Sequence, residues 1–279
     1  MKLAAITLAY NSNLNELCRN VASYADGVDL LILWDNSEHP LDLNRIHEKF
    51  PQVMIHQDGI NHGLPKAYNW AIDYARSNGY THLMTMDQDS CFEGFDNYRQ
   101  HVEEKQHPGI CSCAINRDQL MAEEWTPIND SAQSGSIFPL AMIDEIGPFR
   151  DDLFISMVDA EMCLRAQEHG YRTIQYNGSN LIHQVGSQRK VSFLRHRVYV
   201  SDYNTLRHYY DSRNRILIWY EFPYDISTRG KIKHLMGRLK VMIKIVLFET
   251  NKAAKICAII SGTWYGLLNR SHPYRPNSR

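Results

Sequence analysis

The chain has 279 residues and a formal net charge of -1, from 30 Lys and Arg against 31 Asp and Glu. This length suits one large α/β domain with a helical appendage, and it exceeds that of a bare interaction module. A composition of 44% hydrophobic and 22% charged residues is typical of a folded globular protein. The balanced charge excludes a uniformly basic nucleic-acid-binding protein, so we expect no nucleic-acid partner.

The near-neutral total hides an asymmetry along the chain. From Ser227 onward there are eleven Lys and Arg residues and one acid, Glu249, which gives +10 there and leaves -11 for residues 1–226. We therefore predict two regions, an acidic domain over 1–226 and a basic helical extension over 227–279.

The cysteines and the apolar segments indicate the compartment. Six cysteines form no Cys-x-x-Cys pair, and Cys111 and Cys113 would face the same side of one strand, which favours buried free thiols over a metal site. The first residues lead into an apolar strand without the regions of a signal peptide. No stretch reaches the roughly 18 apolar residues of a membrane-spanning helix. We expect a cytoplasmic protein.

Four apolar runs in the N-terminal half predict buried strands. They cover residues 2–9, 28–34, 53–56 and 80–86. Between them, Asn13 with Glu16 three residues later is typical of a helix start. Apolar residues at helical spacing from Leu64 to Ala75 predict a second helix, which Gly79 closes.

This alternation of strands and helices predicts an α/β fold with a mainly parallel central sheet flanked by helices. Ligands of such sheets bind beyond the carboxyl ends of the strands. We therefore expect the polar residues after the apolar runs to line one crevice. These residues are Tyr10, Asn11, Asp35, Asn36, Ser37, Asp87 and Asp89.

The second half of the chain is less regular. The segment 159–169 predicts a helix ended by Gly170. Further strands are predicted over 109–115, 173–176 and 180–183, and residues 134–138 form a short segment around Gly135.

The basic extension contains a helical pattern from Lys231 to about Phe248, with apolar residues on one face and Lys and Arg on the other. This composition is typical of a helix that lies on an anionic membrane surface. A helix packed on the rest of the chain, or on a second copy in a homo-oligomer, would show the same pattern. Both interpretations stay open at this point.

The strongest local motif is Asp87-Gln88-Asp89 at the end of the fourth apolar run. Two carboxylates separated by one residue can approach a hard cation from the same side where a strand begins to turn. One or two carboxylates together with substrate phosphates commonly hold Mg²⁺. A solvated turn would also favour acids here, and the position after a buried strand supports the metal interpretation.

A second motif precedes the helix that starts near Leu64. Gly63 permits a close approach of the main chain, and the N-terminus of the following helix offers N–H groups to an anion such as a phosphate. Taken alone, an ordinary helix entrance would look the same.

Together these features resemble the family 2 inverting glycosyltransferases with the GT-A fold, and within them the rhamnosyltransferase-like branch. The resemblance covers most of residues 1–220 and rests on eight short motifs in the expected order. They are Ala9-Tyr10-Asn11, Trp34-Asp35-Asn36-Ser37, Asn61-x-Gly63 through Asn69, Asp87-Gln88-Asp89-Ser90, Ser134-Gly135-Ser136, Val158-Asp159-Ala160-Glu161 through Arg165, Ile182-His183-Gln184-Val185-Gly186 and Tyr209-Tyr210-Asp211-Ser212-Arg213-Asn214.

The resemblance implies a GT-A catalytic domain over 1–226 with a donor site and a metal site. Mn²⁺ or Mg²⁺ is implied at Asp89 and Asp87, and His183 would complete the ligands, since an imidazole suits Mn²⁺ better than Mg²⁺. Contacts with the donor nucleotide are implied for Ala9, Tyr10, Asn11, Asp35, Asn36, Asn61, Gly63, Lys66, Asn69, Asp87, Gln88 and Arg213.

The same resemblance assigns the catalytic base to Asp159. Glu161 would position the acceptor or the base, and Arg165 can pair with Glu161 one helical turn away. Supporting roles at the acceptor are implied for Gly135 and Ser136.

Acids at the start of a helix also suit the helix dipole without any chemistry, so the sequence pattern alone does not require a base at Asp159. The chain departs from its relatives in carrying Ser156 and Val158 where many of them have acids. At these two positions we expect the surroundings of the base to differ from those in the relatives.

The implied function is metal-dependent inverting transfer of a sugar, with rhamnose from dTDP-rhamnose as the expected donor and a surface polysaccharide or lipid-linked glycan as acceptor. A UDP-hexose or another nucleotide sugar is the alternative donor. A nucleotidyltransferase would usually carry a Gly-rich basic loop after the first strand, where this chain has Tyr10-Asn11-Ser12. A non-catalytic nucleotide-sugar sensor would keep the binding residues and need no base.

Overall fold

The computed structural model describes residues 1–117, 123–183, 189–193, 196–223 and 227–274. The chain forms two compact units. The first consists of Met1–Asp151 and Val158–Gln184, and the second of Asp152–Met157 and Val185–Arg279.

The first half of the sheet in the first unit is parallel, in the order β3-β2-β1-β4. Its strands are β1 (Leu3–Ala9), β2 (Leu30–Asp35), β3 (Met54–Gln57) and β4 (His82–Asp87). Ala9 lies opposite Asp35, and Leu8 opposite Asp87, so the polar residues after these strands meet at one edge. This half confirms the four strands expected from the apolar runs.

The other half of the sheet is mixed. It adds β5 (Ser90–Glu93), β6 (Cys111–Ile115), β7 (Trp125–Ile128), β8 (Ser136–Pro139) and β9 (Thr173–His183). The order continues β4-β8-β6-β9-β5, and β7 also pairs with β9. Only the β6–β9 pair is parallel among these described pairings.

Strand β9 replaces the two separate strands expected at 173–176 and 180–183. Its register against β6 shifts between Cys113 and Ala114, where the partner changes from Tyr176 to Asn180. The intervening Asn177-Gly178-Ser179 bulges out of the ladder without ending the strand, which explains why the pattern was interrupted.

Helices cover the sheet of the first unit. They are α1 (Leu14–Ala22), α2 (Asn44–Lys49), α3 (Gly63–Ser77), α4 (Phe95–Lys105), α5 (Leu140–Ile146) and α6 (Val158–Glu168). The expected start of α1 is confirmed, because Oδ1 of Asn13 accepts from the N–H groups of Asn15, at 3.0 Å, and Glu16, at 3.3 Å. Short 3-10 turns cover Ala25–Gly27 and Asp151–Leu153.

The two closely spaced cysteines of β6 lie in the core, as expected. Cys111 and Cys113 are buried and not bonded to each other. Burial raises the pKa of each thiol to about 12. Neither thiol is therefore ionised near neutral pH.

In its described residues, the second unit contains an antiparallel pair of strands, named below as the hairpin, and three helices. The hairpin pairs β10 (Arg189–Phe193) with β11 (His196–Val200), and the helices are α7 (Thr205–Glu221), α8 (Thr228–Phe248) and α9 (Lys252–Leu267). Within the described ranges, no helix combines the length and apolar character needed to cross a bilayer.

The packing of α7 on α9 explains why the structure divides the chain differently from the boundary expected at 226/227. Gly262 and Gly266 face α7 so closely that a Cβ on Gly266 would lie 2.9 Å from the main-chain oxygen of Arg213. A Cβ on Gly262 would overlap the main-chain oxygen of Tyr209. Helix α7 therefore belongs with the C-terminal helices in one compact unit.

This close approach gives a stability prediction. Gly262→Ala should lower the free energy of unfolding by about 1–3 kcal/mol, because overpacking against main-chain atoms outweighs the better helix propensity of alanine. Gly237→Ala on α8 is the control, since nothing lies within 4 Å of its added Cβ. In urea unfolding, the control should have the same free energy of unfolding as the wild type, or one up to about 1 kcal/mol higher. Equal urea midpoints for the two variants would contradict the tight packing of α9 on α7.

Candidate active site

The turn between β4 and β5 builds the predicted metal group. Strand β4 ends at Asp87, and β5 begins at Ser90, which lies opposite His183 in the antiparallel β5–β9 pair. The structure thereby brings Asp87, Asp89 and His183 together, with one ligand atom from each within 4.8 Å of the others. All three side chains are partly exposed.

These three residues fit a divalent cation. Nδ1 of His183 lies 3.4 Å from Oδ1 of Asp89, and the group offers carboxylate oxygens and an imidazole nitrogen. Mixed oxygen and nitrogen ligands suit Mn²⁺, while oxygen ligands alone would suit Mg²⁺. The partly open position leaves space for substrate phosphates as further ligands.

Two buried serines join Asp87 to His183 through a chain of hydrogen bonds. The N–H of Asp87 donates to Oγ of Ser134, at 3.1 Å, and the Ser134 hydroxyl donates to Oγ of Ser90, at 2.7 Å. Oγ of Ser90 lies 2.7 Å from Nδ1 of His183. In the sequence both serines stand in motifs, and nothing there indicates their contact with the metal group.

Asn116 fixes the main chain of the histidine. Its Nδ2 donates to the carbonyl of His183, at 2.7 Å, and its Oδ1 accepts from the His183 N–H, at 3.0 Å. Asn116 itself lies in the left-handed region, with φ of 49°, directly after β6. No sequence motif indicated this residue.

Asn116 gives a prediction about metal affinity. Asn116→Gly removes the amide and tolerates the positive φ, so we expect about tenfold weaker Mn²⁺ binding in calorimetric titration. Asn97→Ala is the control, since Asn97 donates to Gly178 O and Ser179 Oγ in the β9 bulge. Equal Mn²⁺ affinity in the Asn116 variant and the wild type would remove this positioning role.

Gln88 links the turn between β4 and β5 to the loop after β1 through hydrogen bonds. Its Oε1 accepts from the N–H of Tyr10, at 2.6 Å, and from the Ser12 hydroxyl, and its Nε2 donates to the Tyr10 carbonyl, at 3.2 Å. Nδ2 of Asn20 donates to the Gln88 carbonyl, at 2.8 Å. The amide thus braces Tyr10, which is exposed and follows Ala9 at the end of β1.

Asp35 is fully buried and shapes the loop that follows β2. Its carboxylate accepts from the N–H of Ser37, at 3.0 Å, the N–H of Leu41, at 2.8 Å, and Nε2 of Gln57, at 2.7 Å. Oγ of Ser37 in turn accepts from the N–H of Asn11, at 2.8 Å. These contacts shape the loop, and the contact with the donor that the resemblance implies for Asp35 stays a prediction.

Asn36 and Asn61 fix the turn that begins α3. Oδ1 of Asn36 accepts from the N–H of His62, at 3.1 Å, and its Nδ2 donates to the carbonyl of Gly63, at 3.0 Å. Oδ1 of Asn61 accepts from the N–H of Gly63, which has φ of 76°. Lys66 is exposed in the first turn of α3.

Asn69, one turn further along α3, braces the loop after α5. Its Oδ1 accepts from the N–H of Phe149, at 2.9 Å, and its Nδ2 donates to the carbonyl of Phe149 and to Oδ1 of Asp151, both at 2.8 Å. These contacts use both ends of the amide within the protein.

Asp159 lies in the first turn of helix α6, half-buried, in the same unit as the metal group. Its Oδ1 accepts from the N–H of Ala160, at 2.8 Å. Burial raises the pKa of Tyr68 well above its usual value, and the charges of Asp87 and Asp159 raise it further. The carboxylates of Asp87 and Asp159 therefore both act electrostatically on one buried phenol.

The chain is similar to known proteins in sequence and in fold. No family model matches the sequence. The chain is 22% identical over 245 residues to the dTDP-rhamnosyl transferase RfbF of Shigella flexneri, which covers 77% of this chain and 78% of that protein. The chain is a glycosyltransferase whose sequence is similar to that of a rhamnosyltransferase.

A solved structure shows the same fold. The crystal structure of GalNAc-T7 with UDP, GalNAc and Mn²⁺ aligns with a TM-score of 0.53 at 13% identity over 66% of this chain. The glycosyltransferase described here spans 44% of the length of that chain, which is less than half. At this identity the likeness concerns the fold alone.

Glu161 of the glycosyltransferase is fully buried and pairs with Arg165, as its spacing predicted. The carboxylate accepts from Nε of Arg165, at 2.8 Å, and from its Nη2, at 2.9 Å. Arg165 also donates to the carbonyls of Ile146, Gly147 and Pro148. Glu161 therefore has no exposed face for an acceptor, and the pair holds the loop that follows α5.

Gly135 and Ser136 also lie inside the glycosyltransferase. Gly135 has φ of 78°, and a Cβ there would lie 3.0 Å from Cδ2 of Leu181. The Ser136 hydroxyl is fully buried and donates to the carbonyl of Ala132, at 2.6 Å. Both residues are buried, and their expected contact with the acceptor stays a prediction.

Arg213 in the second unit is likewise fully buried. Its guanidinium donates to the carbonyls of Asp152 and, at 2.6 Å, of His272, and it lies 4.6 Å from the ring centroid of Tyr210. Burial lowers its pKa, although the neighbouring tyrosines oppose this. These contacts hold two segments of the second unit together, and the expected contact with the donor stays a prediction.

The segment that Arg213 holds is strained. Phe154, Ser156 and Met157 have φ values of 58°, 66° and 65°, which side-chain-bearing residues rarely adopt. Nδ2 of Asn214 donates to three carbonyls of this segment, at 2.8 to 2.9 Å. Such strain persists where surrounding contacts enforce it, often at functional sites. The Asp159 helix begins directly after Met157.

One motif is only partly covered. Gln184, Val185 and Gly186, which follow His183, lie outside the described residues.

Proposed function

We propose that this glycosyltransferase catalyses the divalent-cation-dependent, inverting transfer of a sugar from a nucleotide-diphosphate donor. The observation that carries the proposal is the Asp87, Asp89 and His183 group at the carboxyl edge of the sheet. It stands where α/β folds bind their ligands. The fold shared with GalNAc-T7, whose crystal structure contains UDP and Mn²⁺, supports it.

The donor diphosphate has to lose a sugar while it gains charge. A bound Mn²⁺ or Mg²⁺ supplies Lewis-acid neutralisation of that charge. Asp89 and Asp87 would hold the cation through carboxylate oxygens, and His183 through its ring. Asn36 and Asn61 fix the Gly63 turn, so the N-terminus of α3 is preorganised to accept an anion.

Asp159 acts as the general base. Its carboxylate takes the proton of the acceptor hydroxyl while the hydroxyl oxygen forms a bond to the anomeric carbon. The bond between that carbon and the diphosphate oxygen breaks on the opposite face, and the nucleoside diphosphate leaves with the electron pair. This single displacement inverts the anomeric centre.

The donor that we propose is dTDP-rhamnose, in line with the similarity to the dTDP-rhamnosyl transferase RfbF. A UDP-hexose is the second candidate, because the solved structure of similar fold contains UDP. The acceptor that we propose is a surface polysaccharide or its lipid-linked precursor, handled in the cytoplasm at the inner face of the membrane.

A thermal-shift panel tests the donor and the cation together. The protein is melted with dTDP-rhamnose, UDP-glucose and UDP-GalNAc, each with and without Mn²⁺. A ligand that binds only the folded state raises the Tm by mass action. We expect the largest shift for dTDP-rhamnose with Mn²⁺. Absence of a shift with every donor would overturn the proposed substrate class.

A second measurement separates the enzyme from the other classes. Release of nucleoside diphosphate from the stabilising donor is measured with Mn²⁺ and a rhamnose-containing acceptor. Binding without release would favour a nucleotide-sugar sensor. Release of pyrophosphate from a nucleoside triphosphate with a sugar phosphate would favour a nucleotidyltransferase.

A further inference from the structure

Helix α8 exposes a continuous apolar stripe. Seven large apolar side chains on this helix are between 46% and 57% exposed. They are Ile232, Leu235, Met236, Leu239, Ile243, Val246 and Leu247. Exposed apolar residues scattered singly are ordinary, whereas a contiguous patch of this size usually marks an interaction site.

The stripe is one face of the helix. At about 100° per residue its members fall within a sector of about 120°. The opposite face is the buried one, where Ile245 is fully enclosed and Arg238 pairs with Asp211. Helix α8 therefore packs through its other side and leaves the apolar stripe to solvent.

Cations border the stripe. Arg229, Lys233 and Lys240 are exposed, and they lie about 60–100° from the centre of the stripe on a helical projection. Lys244 follows on the same side of the helix, is partly buried, and donates to the carbonyl of Tyr199, at 2.9 Å. An apolar face flanked by Lys and Arg is the pattern of a helix that lies in the interface of an anionic bilayer.

Helix α9 repeats the feature. Its exposed side carries Ile260, Trp264 and Leu267, of which Trp264 is 59% exposed. Its buried side carries the glycines that contact α7. Tryptophan favours the boundary between headgroups and acyl chains, so its exposure here is consistent with a lipid surface.

Charge decides between a lipid surface and a second copy of the chain as the occupant. In residues 227–279 there is one acid, Glu249, and it is buried in an ion pair with Lys255. Two copies related by a twofold axis would present the same cation rows to each other with no acidic counterpart from these helices. Anionic headgroups would supply that counterpart.

We infer that the apolar stripe of α8 and its flanking cations dock this protein on the surface of an anionic lipid bilayer. This inference deepens the proposed acceptor class, and its test needs neither donor nor acceptor. A failure of lipid docking is therefore distinguishable from a failure of the proposed reaction.

The test is co-sedimentation of the full chain with vesicles. We expect binding to vesicles of phosphatidylglycerol and phosphatidylcholine in equal parts, little binding to phosphatidylcholine alone, and weaker binding as salt rises. Light scattering without vesicles reports the oligomeric state. Absence of binding to the anionic vesicles would overturn the inference.

Variants identify the surface. The triple change Leu235→Ser, Leu239→Ser and Ile243→Ser alters exposed side chains only, and should abolish vesicle binding with an unchanged circular dichroism spectrum. Lys233→Gln with Lys240→Gln should weaken binding by more than about tenfold. The charge-matched control is Lys49→Gln with Lys105→Gln, which should bind as wild type.

Two results would contradict this surface. Wild-type vesicle binding by the triple variant would place the lipid contact elsewhere. A wild-type dimer that the triple variant converts to a monomer, with no vesicle binding by the wild type, would make a second copy the occupant of the stripe.

Discussion

Asp89→Ala is expected to abolish Mn²⁺-dependent turnover of the nucleotide-sugar donor. The variant removes a carboxylate from a group whose ligand atoms lie within 4.8 Å of one another. Two remaining side chains hold a cation poorly, and the charge on the leaving diphosphate is then no longer neutralised. Loss of such electrostatic stabilisation costs about 100- to 1,000-fold in rate or more.

The measurements are Mn²⁺ titration by calorimetry and donor turnover at saturating Mn²⁺. Glu93→Ala is the matched control, because Glu93 ends the same short strand that Asp89 precedes, is exposed, and lies outside the metal group. It should keep both metal affinity and turnover. Donor binding that is as tight in metal-free buffer as with Mn²⁺ would argue against the role of Asp89.

Asp159→Asn is expected to abolish sugar transfer and leave donor affinity largely intact. An amide cannot take the acceptor proton, and loss of a general base costs about 100- to 10,000-fold. The amide oxygen can still accept from the N–H of Ala160, so the start of α6 should keep its geometry. The rate and the donor Kd are measured on the same preparation.

Glu161→Gln separates a catalytic from a structural effect in the same helical turn. It weakens the buried pair with Arg165, so the free energy of unfolding should fall, by up to about 3–5 kcal/mol. Asp159→Asn should unfold like the wild type. Transfer at the wild-type rate in Asp159→Asn would reject the base assignment.

The parallel half of the sheet could be predicted because each of its strands is a continuous apolar run. The Asp87 and Asp89 pair could be found for a related reason, since it directly follows such a run. The partnership of Asp89 with His183 depends on the pairing of β5 with β9, which joins residues far apart in the chain. Only the resemblance pointed to that histidine.

Sequence motifs could not predict the roles of Ser90, Ser134 and Asn116. Each acts through a hydrogen bond that only the folded sheet creates, and Asn116 belongs to no motif. A second difficulty concerns Asp35 and Asn69. Both stand in motifs associated with donor binding, yet their polar atoms hold loops of the protein. A short motif does not distinguish a side chain that touches substrate from one that braces its surroundings.

The strained segment before the Asp159 helix has a practical consequence for shortened versions of this enzyme. A protein ending at residue 226 would lack His272, which accepts from Arg213, and Ser271, which donates to Asp152. It would also expose the side of α7 that α9 covers. The basic extension thus supports the residues that lead into α6, and we expect a stable shortened protein to retain it through α9 and the residues just beyond.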